Sequence, residues 1–287
     1  MPHGTLPAMI LSTGSPVLAP GGGLLLVLVA SGLYLLATVP SASWGRLSAA
    51  GLLGGFVLHA LLLLIDIGGL GQELPGARLG FGPVLSTAVW MVIAVYAVES
   101  RLLPVPVVRQ WLGLAGIVAV LLAATFPGDP RVMHSALAPL HFALGVGSYG
   151  LFGAAVLHGL WLDAAERRMR TAGAAALGPG RAPGMPLLQL ERITFRFVEV
   201  GFIVLTATLL LGIVTSLSTP AGRWLEHKTV FSVLAWGVIG ALLLGRRVRG
   251  WRGRQATRWL YSGAVLLLLG YAGSRFVLEV VLARAAG

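Results

Sequence analysis

The sequence predicts an all-α, polytopic integral membrane protein whose eight transmembrane helices form one bundle, with both termini outside. The chain is 56% hydrophobic and only 11% charged, against roughly 25% charged residues in an average soluble domain. Apolar stretches recur along it, each with the length of about 18 residues or more that a helix needs to cross a bilayer. Arginines cluster between these stretches. The whole chain, 1–287, is therefore predicted to be a single transmembrane domain.

The predicted spans follow one another with short connections. They lie near 21–39, 49–69, 82–99, 107–126, 136–162, 192–217, 228–245 and 259–282. The first resembles a signal peptide, with Ser41-Ala42-Ser43 as a cleavage site. No Lys or Arg precedes it and its apolar run is long, which favours a retained span. The longest polar gap, 163–190, is rich in Gly, Pro and Ala and is predicted to be a loop.

Arginine placement predicts which side of the membrane each loop faces. The positive-inside rule assigns arginine-rich short loops to the cytoplasm, and the loops after the fifth and seventh spans are of this kind. With eight spans, both termini and the turn 218–228 then face outward. Because the net charge of +11 collects at span ends, it does not indicate a nucleic-acid partner. The arginines of the two loops are Arg167, Arg168, Arg170 and Arg181, then Arg246, Arg247, Arg249, Arg252, Arg254 and Arg258.

Several kinds of functional site are excluded by composition. Cysteine is absent, so disulfides, iron–sulfur clusters and covalent haem attachment through this chain are ruled out. Paired half-helices broken by Gly or Pro, which build transporter sites, are not evident. The acidic residues Asp66, Glu99, Glu199 and Glu279 lie near span ends, and no carboxylate pair or Ser/His/Asp arrangement is found. The chain is therefore predicted not to be an enzyme.

Among the six histidines, His59 is the one placed deep in a span. It is about ten residues from either end, or ~15 Å from each surface at the helical rise. An ionisable group at that depth is a functional candidate; the alternative is a neutral imidazole hydrogen-bonded to a neighbouring helix. His3 and His134 are interpreted as terminal and loop residues, and His158, near Asp163, as an interfacial residue.

His141 is predicted to lie about one turn into the fifth span from the outer surface. The residues below it on the same helical face form a track that lets a helix or a flat ligand approach closely. A literal dinucleotide-binding pattern, Gly145-x-Gly147-x-x-Gly150, overlaps this track. No strand precedes that pattern, so it is interpreted as helix packing. The track consists of Gly145, Ser148, Phe152 and Ala155.

The outer turn before the seventh span carries Trp224, Glu226, His227 and Lys228. One interpretation is a solvated helix start, with Glu226 complementing the helix dipole. The other is a ligand site, because neutral imidazoles from two helices, facing across a gap roofed by aromatic residues, suit axial ligation of haem iron. On that interpretation His141 and His227 hold the iron.

Other groups complete this predicted haem site. Trp224 provides a stacking wall, and Arg223 and Lys228 are placed to meet the propionates. His59 is retained as a further cofactor-binding candidate. The predicted cofactor is a non-covalent, b-type haem.

The second half of the chain resembles the cytochrome c assembly family, the CcsA/CcmC-type haem-handling membrane proteins. The resemblance covers roughly residues 80–282, and within the family it looks most like the small YpjD- or HemX-like branch. The stretches that carry it are PLHFALGVGSYGLFGAAVLHGLWL, LERITFRFVEVGFIVLTATLLLGIV, WLEHKTVFSVLAW and WRGRQATRWLYSGAVLLLLGYAGSRFVLEVVL.

The resemblance assigns roles by position. His141 matches the outer-face histidine thought to ligate haem in the family, and Trp224 and Glu226 lie where the family's Trp-rich outer loop cradles the porphyrin. This turn departs from the family pattern in keeping one Trp, in having Glu for Asp, and in carrying His227. Family members also have a histidine at the inner end of the next span, where this chain has Leu244-Gly245-Arg246. They have another beyond the last span, where this chain has Ala285-Ala286-Gly287.

The resemblance implies a multi-pass bacterial inner-membrane protein of cytochrome c assembly that binds haem at the outer face. Its partners would be the lipid bilayer, haem and other cytochrome c maturation proteins. One alternative is a membrane regulator of haem biosynthesis, or an assembly partner, that does not hold haem. A second alternative is a transporter of a small hydrophobic anion, with His59 and the Arg223/Lys228 pair as its polar points.

Overall fold

The computed structural model of the chain is helical. It describes residues 23–39, 41–68, 77–100, 106–128, 130–131, 137–172, 187–217 and 227–273. Two short strands, β1 (Ala77–Arg78) and β2 (Pro130–Arg131), pair antiparallel, and a π-helical turn, Leu269–Gly273, continues the last helix. The helices are α1 Gly23–Thr38, α2 Ser41–Gly68, α3 Phe81–Glu99, α4 Pro106–Thr125, α5 Ala138–Ala172, α6 Leu187–Leu217, α7 His227–Arg249 and α8 Gly253–Leu268.

The helices pack as two four-helix groups with the same neighbour pattern. In the first half (α1–α4), α1 packs on α2 and α4, and α3 packs on the same two helices. In the second half (α5–α8), α5 packs on α6 and α8, and α7 packs on the same two helices. Each half has its own cluster of buried apolar side chains. The halves meet mainly where α3 packs on α5.

Close backbone contact characterises the first half. A Cβ on Gly82 of α3 would lie 2.2 Å from the Leu122 carbonyl oxygen of α4, and one on Gly51 of α2 would lie 2.7 Å from the Leu33 carbonyl oxygen of α1. Only glycine fits at such distances, so these positions bring the helix backbones together. The Tyr34 side chain is fully buried in the centre of this group.

Side-chain packing characterises the second half. Its core centres on large apolar residues such as Phe152, Ile239 and Leu260. Helices α6 and α7 are joined by Trp236, whose indole nitrogen donates to the Thr206 hydroxyl over 2.9 Å. The same indole stacks on Phe202, with ring centroids 5.6 Å apart.

Basic residues collect at one end of the second half, called here the arginine end. There Arg246 of α7 donates to Glu191 of α6 over 3.1 Å, and Thr257 and Tyr261 of α8 each donate to Asp163 of α5 over 3.0 Å. The paired strands β1 and β2 lie at the opposite end, called here the strand end. The structure therefore separates the arginine-rich connections from the start of α5 and of α7.

Six described helices are long and apolar enough to cross a membrane, and α1 is a shorter apolar helix. The chain is thus a multi-pass membrane protein, as predicted. Those six spans are Trp44–Gly68, Phe81–Glu99, Val107–Thr125, Ala138–Thr171, Leu187–Thr215 and Lys228–Arg249.

Several helix limits differ from the sequence prediction. Helix α2 begins at Ser41 and bends at Trp44, while α5 runs to Ala172 and α6 begins at Leu187. The predicted loop 163–190 is therefore helical at both ends, because hydropathy marks only the lipid-crossing part of a helix. Polar turns continue α5, where Arg170 pairs with Glu166 one turn away at 2.9 Å.

The last helix also departs from its predicted limits. Helix α8 begins at Gly253, six residues before the predicted span. Its first turns are polar, so hydropathy did not mark them. The predicted continuation beyond Gly273 to residue 282 lies outside the described residues.

Candidate functional site

His141 lies in the first turn of α5, at the strand end. Its ring packs against α6, where a Cβ on Gly212 would lie 3.1 Å from Cε1. The Thr208 backbone of α6 lies near enough to act on the ring electrostatically as a hydrogen-bonding group. The Nδ1 atom is buried and has no hydrogen-bond partner among the described residues. A buried ring nitrogen without a partner loses its water bonds without replacement. This atom is therefore suited to accept a ligand.

The start of α7 lies near the depth of His141. Helices α6 and α7 run antiparallel, and Trp236 of α7 bonds to Thr206 of α6. His227 and Thr215 each lie nine residues from that bond toward the strand end, so they are at the same depth. Thr215 is three residues beyond Gly212, which contacts the His141 ring. Three residues correspond to about 4.5 Å of depth. The start of α7 and His141 are thus at similar heights.

Lys228 supplies positive charge at this end. Its side chain is exposed and lies close enough to His141 for their charges to interact. The side chain of His227 lies outside the described part of the structure, as do Arg223, Trp224 and Glu226. Their predicted roles remain predictions.

The small-residue track of α5 is occupied by protein. A Cβ on Gly145 would lie 3.6 Å from the Thr208 methyl group of α6, and Phe152 packs on Gly201 of the same helix. The idea that the track leaves room for a planar ligand below His141 is therefore wrong, because α6 fills it. Helix packing, the interpretation given to the glycine pattern, is confirmed: Gly150 of that pattern lies against Met91 of α3.

His59 is satisfied by two neighbours within the first half. Its ring is 1% exposed, with Nδ1 3.0 Å from the Tyr34 hydroxyl and Nε2 2.6 Å from the Ser86 hydroxyl. One nitrogen of a neutral imidazole donates and the other accepts, so both bonds form together. These contacts with α1 and α3 agree with the alternative given for His59, a neutral imidazole hydrogen-bonded to neighbouring helices.

His158 is a joint between the two halves, which the sequence did not indicate. Its Nδ1 donates to the Ala154 carbonyl over 2.8 Å, and its Nε2 lies 2.8 Å from Oε2 of Glu99 at the end of α3. The interpretation as a plain interfacial residue is wrong, because the side chain is buried. Only the packing of α3 on α5 brings together two residues 59 positions apart.

The arginine end of α7 is closed by packing. A Cβ on Gly245 would lie 2.4 Å from the Trp251 ring. Arg246 donates to Glu191 and to the Trp251 carbonyl, and its guanidinium lies 3.4 Å above the centre of the Phe195 ring. Groups of three or more His, Asp or Glu side chains that could hold a bare metal ion do not occur among the described residues.

A sequence profile of the family described as "Cytochrome C assembly protein" matches residues 44–282. The chain belongs to this family. Among its curated relatives, the inner membrane protein YpjD of Escherichia coli K12 is 29% identical over 274 residues, which cover 90% of this chain and 98% of YpjD.

A second group of relatives matches a shorter segment. The cytochrome c biogenesis protein CcsA of Prochlorococcus marinus MIT 9303 is 31% identical over 86 residues, which cover 30% of this chain and 27% of CcsA. No solved structure matches the chain significantly. The family assignment thus confirms the resemblance that the quoted sequence stretches carry.

Proposed function

We propose that this cytochrome c assembly family member resides in the bacterial inner membrane and binds haem at its outer face. The observation that carries the proposal is the buried, unpartnered Nδ1 of His141 among the described residues. Iron in haem accepts neutral imidazole nitrogen as an axial ligand. Donor chemistry and position therefore fit the group that the family handles, and the chain needs no catalysis of its own.

The proposed orientation rests on eight spans with both termini outside. Helix α1 has 16 described residues, and α8 with its π-helical turn covers residues 253–273, so both are close to the length of about 17–25 residues that crosses a bilayer. The arginine end would then be cytoplasmic. His141 and the start of α7 would lie at the outer face.

In this proposal, the residues around His141 bind different parts of the haem group. His227, at the depth derived above, is the proposed second ligand, and Lys228 is close enough to interact electrostatically with this site. Lys228 and Arg223 would meet the propionate carboxylates, and Trp224 would stack on the ring. His59 is not part of this site, since both of its nitrogens are already bonded.

The closed arginine end supports binding at one face only. Family members are expected to carry a histidine near the inner end of the seventh span, where Trp251 here covers Gly245. This packing and the filled track below His141 leave little space for a ligand. They are the observations that favour the alternative, a regulator or assembly partner that does not hold haem. An anion transporter is less supported, because the cavity beside His59 has a volume of only about 10 Å³, roughly that needed for one water.

Titration of the purified protein with haem tests the proposal. We expect a Soret band of six-coordinate, bis-imidazole haem. The His141→Ala variant should bind at least about tenfold more weakly, the loss known even for outer-shell partners of metal ligands. The control is His158→Gln, which removes a histidine at the other end. If parent and both variants stay equally colourless with ample haem, the haem proposal fails and the regulator is adopted, with a co-purifying partner as its expected sign.

A further inference from the structure

A small cavity in the first half is bordered by the buried carboxyl group of Asp66. Asp66 lies two residues before the end of α2, is 1% exposed, and its Oδ1 is buried without a hydrogen-bond partner among the described residues. Burying a carboxyl oxygen inside the protein without a hydrogen-bond partner is costly, so the group is a candidate for function. Besides Asp66, the cavity is lined by Val27, His59, Leu62, Leu63, Ser86, Val120, Ala123 and Ala124.

The cavity has the size and the lining of a site for one water. Its volume of about 10 Å³ is near the minimum of roughly 10–15 Å³ for a single water, which also needs at least two polar partners. Oδ1 of Asp66 is one such partner. The Ser86 hydroxyl is the other, because a hydroxyl bonded once to His59 keeps further donor or acceptor capacity.

The side chains of Asp66, Ser86 and His59 lie at increasing depth from the strand end. Counted from the strand end of their helices, Asp66 lies about 3 Å deep, Ser86 about 7.5 Å and His59 about 13.5 Å at the helical rise. His59 then bonds to the Tyr34 hydroxyl. Hydrogen-bonding groups thus run from one end of the first half into its centre.

We propose that the first half contains a proton-binding site in which one water joins the Asp66 carboxyl to Ser86 and His59. The Asp66 carboxyl binds and releases a single proton. When protonated, the carboxyl donates to the water, the water donates to the Ser86 hydroxyl, and that hydroxyl donates to Nε2 of the neutral His59, whose Nδ1 donates to Tyr34. When the proton leaves to solvent, the water turns to donate to the carboxylate, and His59 stays neutral.

The charged and hydrogen-bonding neighbours of this site come from three elements other than α2. Arg78 of β1 is close enough to Asp66 to act on its charge, is itself buried, and donates to the Gly128 carbonyl. Helix α1 contributes Tyr34 and α3 contributes Ser86, whereas α4 lines the cavity with aliphatic residues only.

Infrared difference spectroscopy on the full-length protein in nanodiscs, recorded between two pH values, tests this site. We expect a carboxyl carbonyl band that changes with pH, is lost in Asp66→Asn, and is displaced in Ser86→Ala and in His59→Gln. The matched control is Asp163→Asn at the arginine end, where two hydroxyls already bond the carboxylate; it should leave the band in place.

Two outcomes would overturn the proton site. One is a band that persists in Asp66→Asn. The other is a band that Ser86→Ala and His59→Gln both leave unmoved, which would mean an isolated carboxyl. If Asp66→Asn does not fold, Ser86→Ala decides alone, because serine and alanine differ little in size. Haem binding at His141 is not involved in any of these readings.

Discussion

Each half of the molecule packs a candidate histidine against a neighbouring helix, and the rings of His59 and His141 differ in what their nitrogens contact. In the first half, His59 is enclosed and both nitrogens have hydroxyl partners. In the second half, His141 is only partly buried, yet its Nδ1 has no partner among the described residues. The depth of a histidine in the membrane therefore does not show whether one of its ring nitrogens lacks a partner. The hydrogen bonds of each nitrogen show it.

The halves also differ in how their helices approach. Glycines of the first half bring backbones into direct contact, whereas those facing α6 in the second half meet side chains at ordinary distances. A tightly joined first half suits a scaffold with an internal polar network. The second half is joined by side chains, and the proposed haem site lies at its strand end.

The largest expected effect comes from the backbone contacts. Gly82→Ala should destabilise the protein by about 3 kcal/mol or more, the upper range for overpacking, because its Cβ would overlap the Leu122 carbonyl. The matched change in the second half, Gly147→Ala, should cost little, since its nearest neighbour is the Val204 methyl at 4.0 Å. Thermal unfolding in one detergent measures both; equal losses would erase the packing difference.

A smaller effect is expected from the two histidines. His59→Leu leaves the buried Tyr34 and Ser86 hydroxyls without their common partner, which should cost about 1–2 kcal/mol, within the range for unsatisfied or membrane hydrogen bonds. His141→Leu should cost less, because its Nδ1 has no bond to lose. The two melting temperatures test this order. A larger loss for His141→Leu would mean that the structure relies on that ring.

The smallest expected effect concerns the joint between the halves. Glu99→Gln keeps a hydrogen-bonding group near Nε2 of His158 but removes the charge, and should cost about 0.6 kcal/mol, the average for a hydrogen bond inside a membrane protein. Thermal unfolding of parent and variant in one detergent measures this loss. A variant as unstable as His59→Leu would show that the halves depend on this pair more than proposed.

Much of the architecture could be predicted from sequence, because hydropathy and arginine placement are local signals. They gave the helical class, the order of the spans and the separation of basic connections. Helix ends were missed where polar residues continue a helix into water, as in α5 beyond Asp163. Pairings such as His59 with Ser86 and Glu99 with His158 depend on which helices become neighbours, and no spacing along the chain encodes that.

The site was predictable only in part. The position of His141 near one helix end follows from counting residues, but its unpartnered nitrogen depends on Gly212 of α6 allowing the ring to approach. The prediction of a space below this histidine was wrong because the small residues of α5 pack against α6. Asp66 was noted only as an acid near a span end, although it borders the cavity of the first half.

Chemical rescue tests the central claim most directly, that the free nitrogen of His141, and not His59, is the ligand. His141→Gly and His59→Gly are compared after haem loading, first without and then with added imidazole. We expect His141→Gly to lose the six-coordinate Soret band and to regain it with imidazole, while His59→Gly keeps the band throughout. A His141→Gly protein that retains the band, or a His59→Gly protein that loses and regains it, would contradict the account.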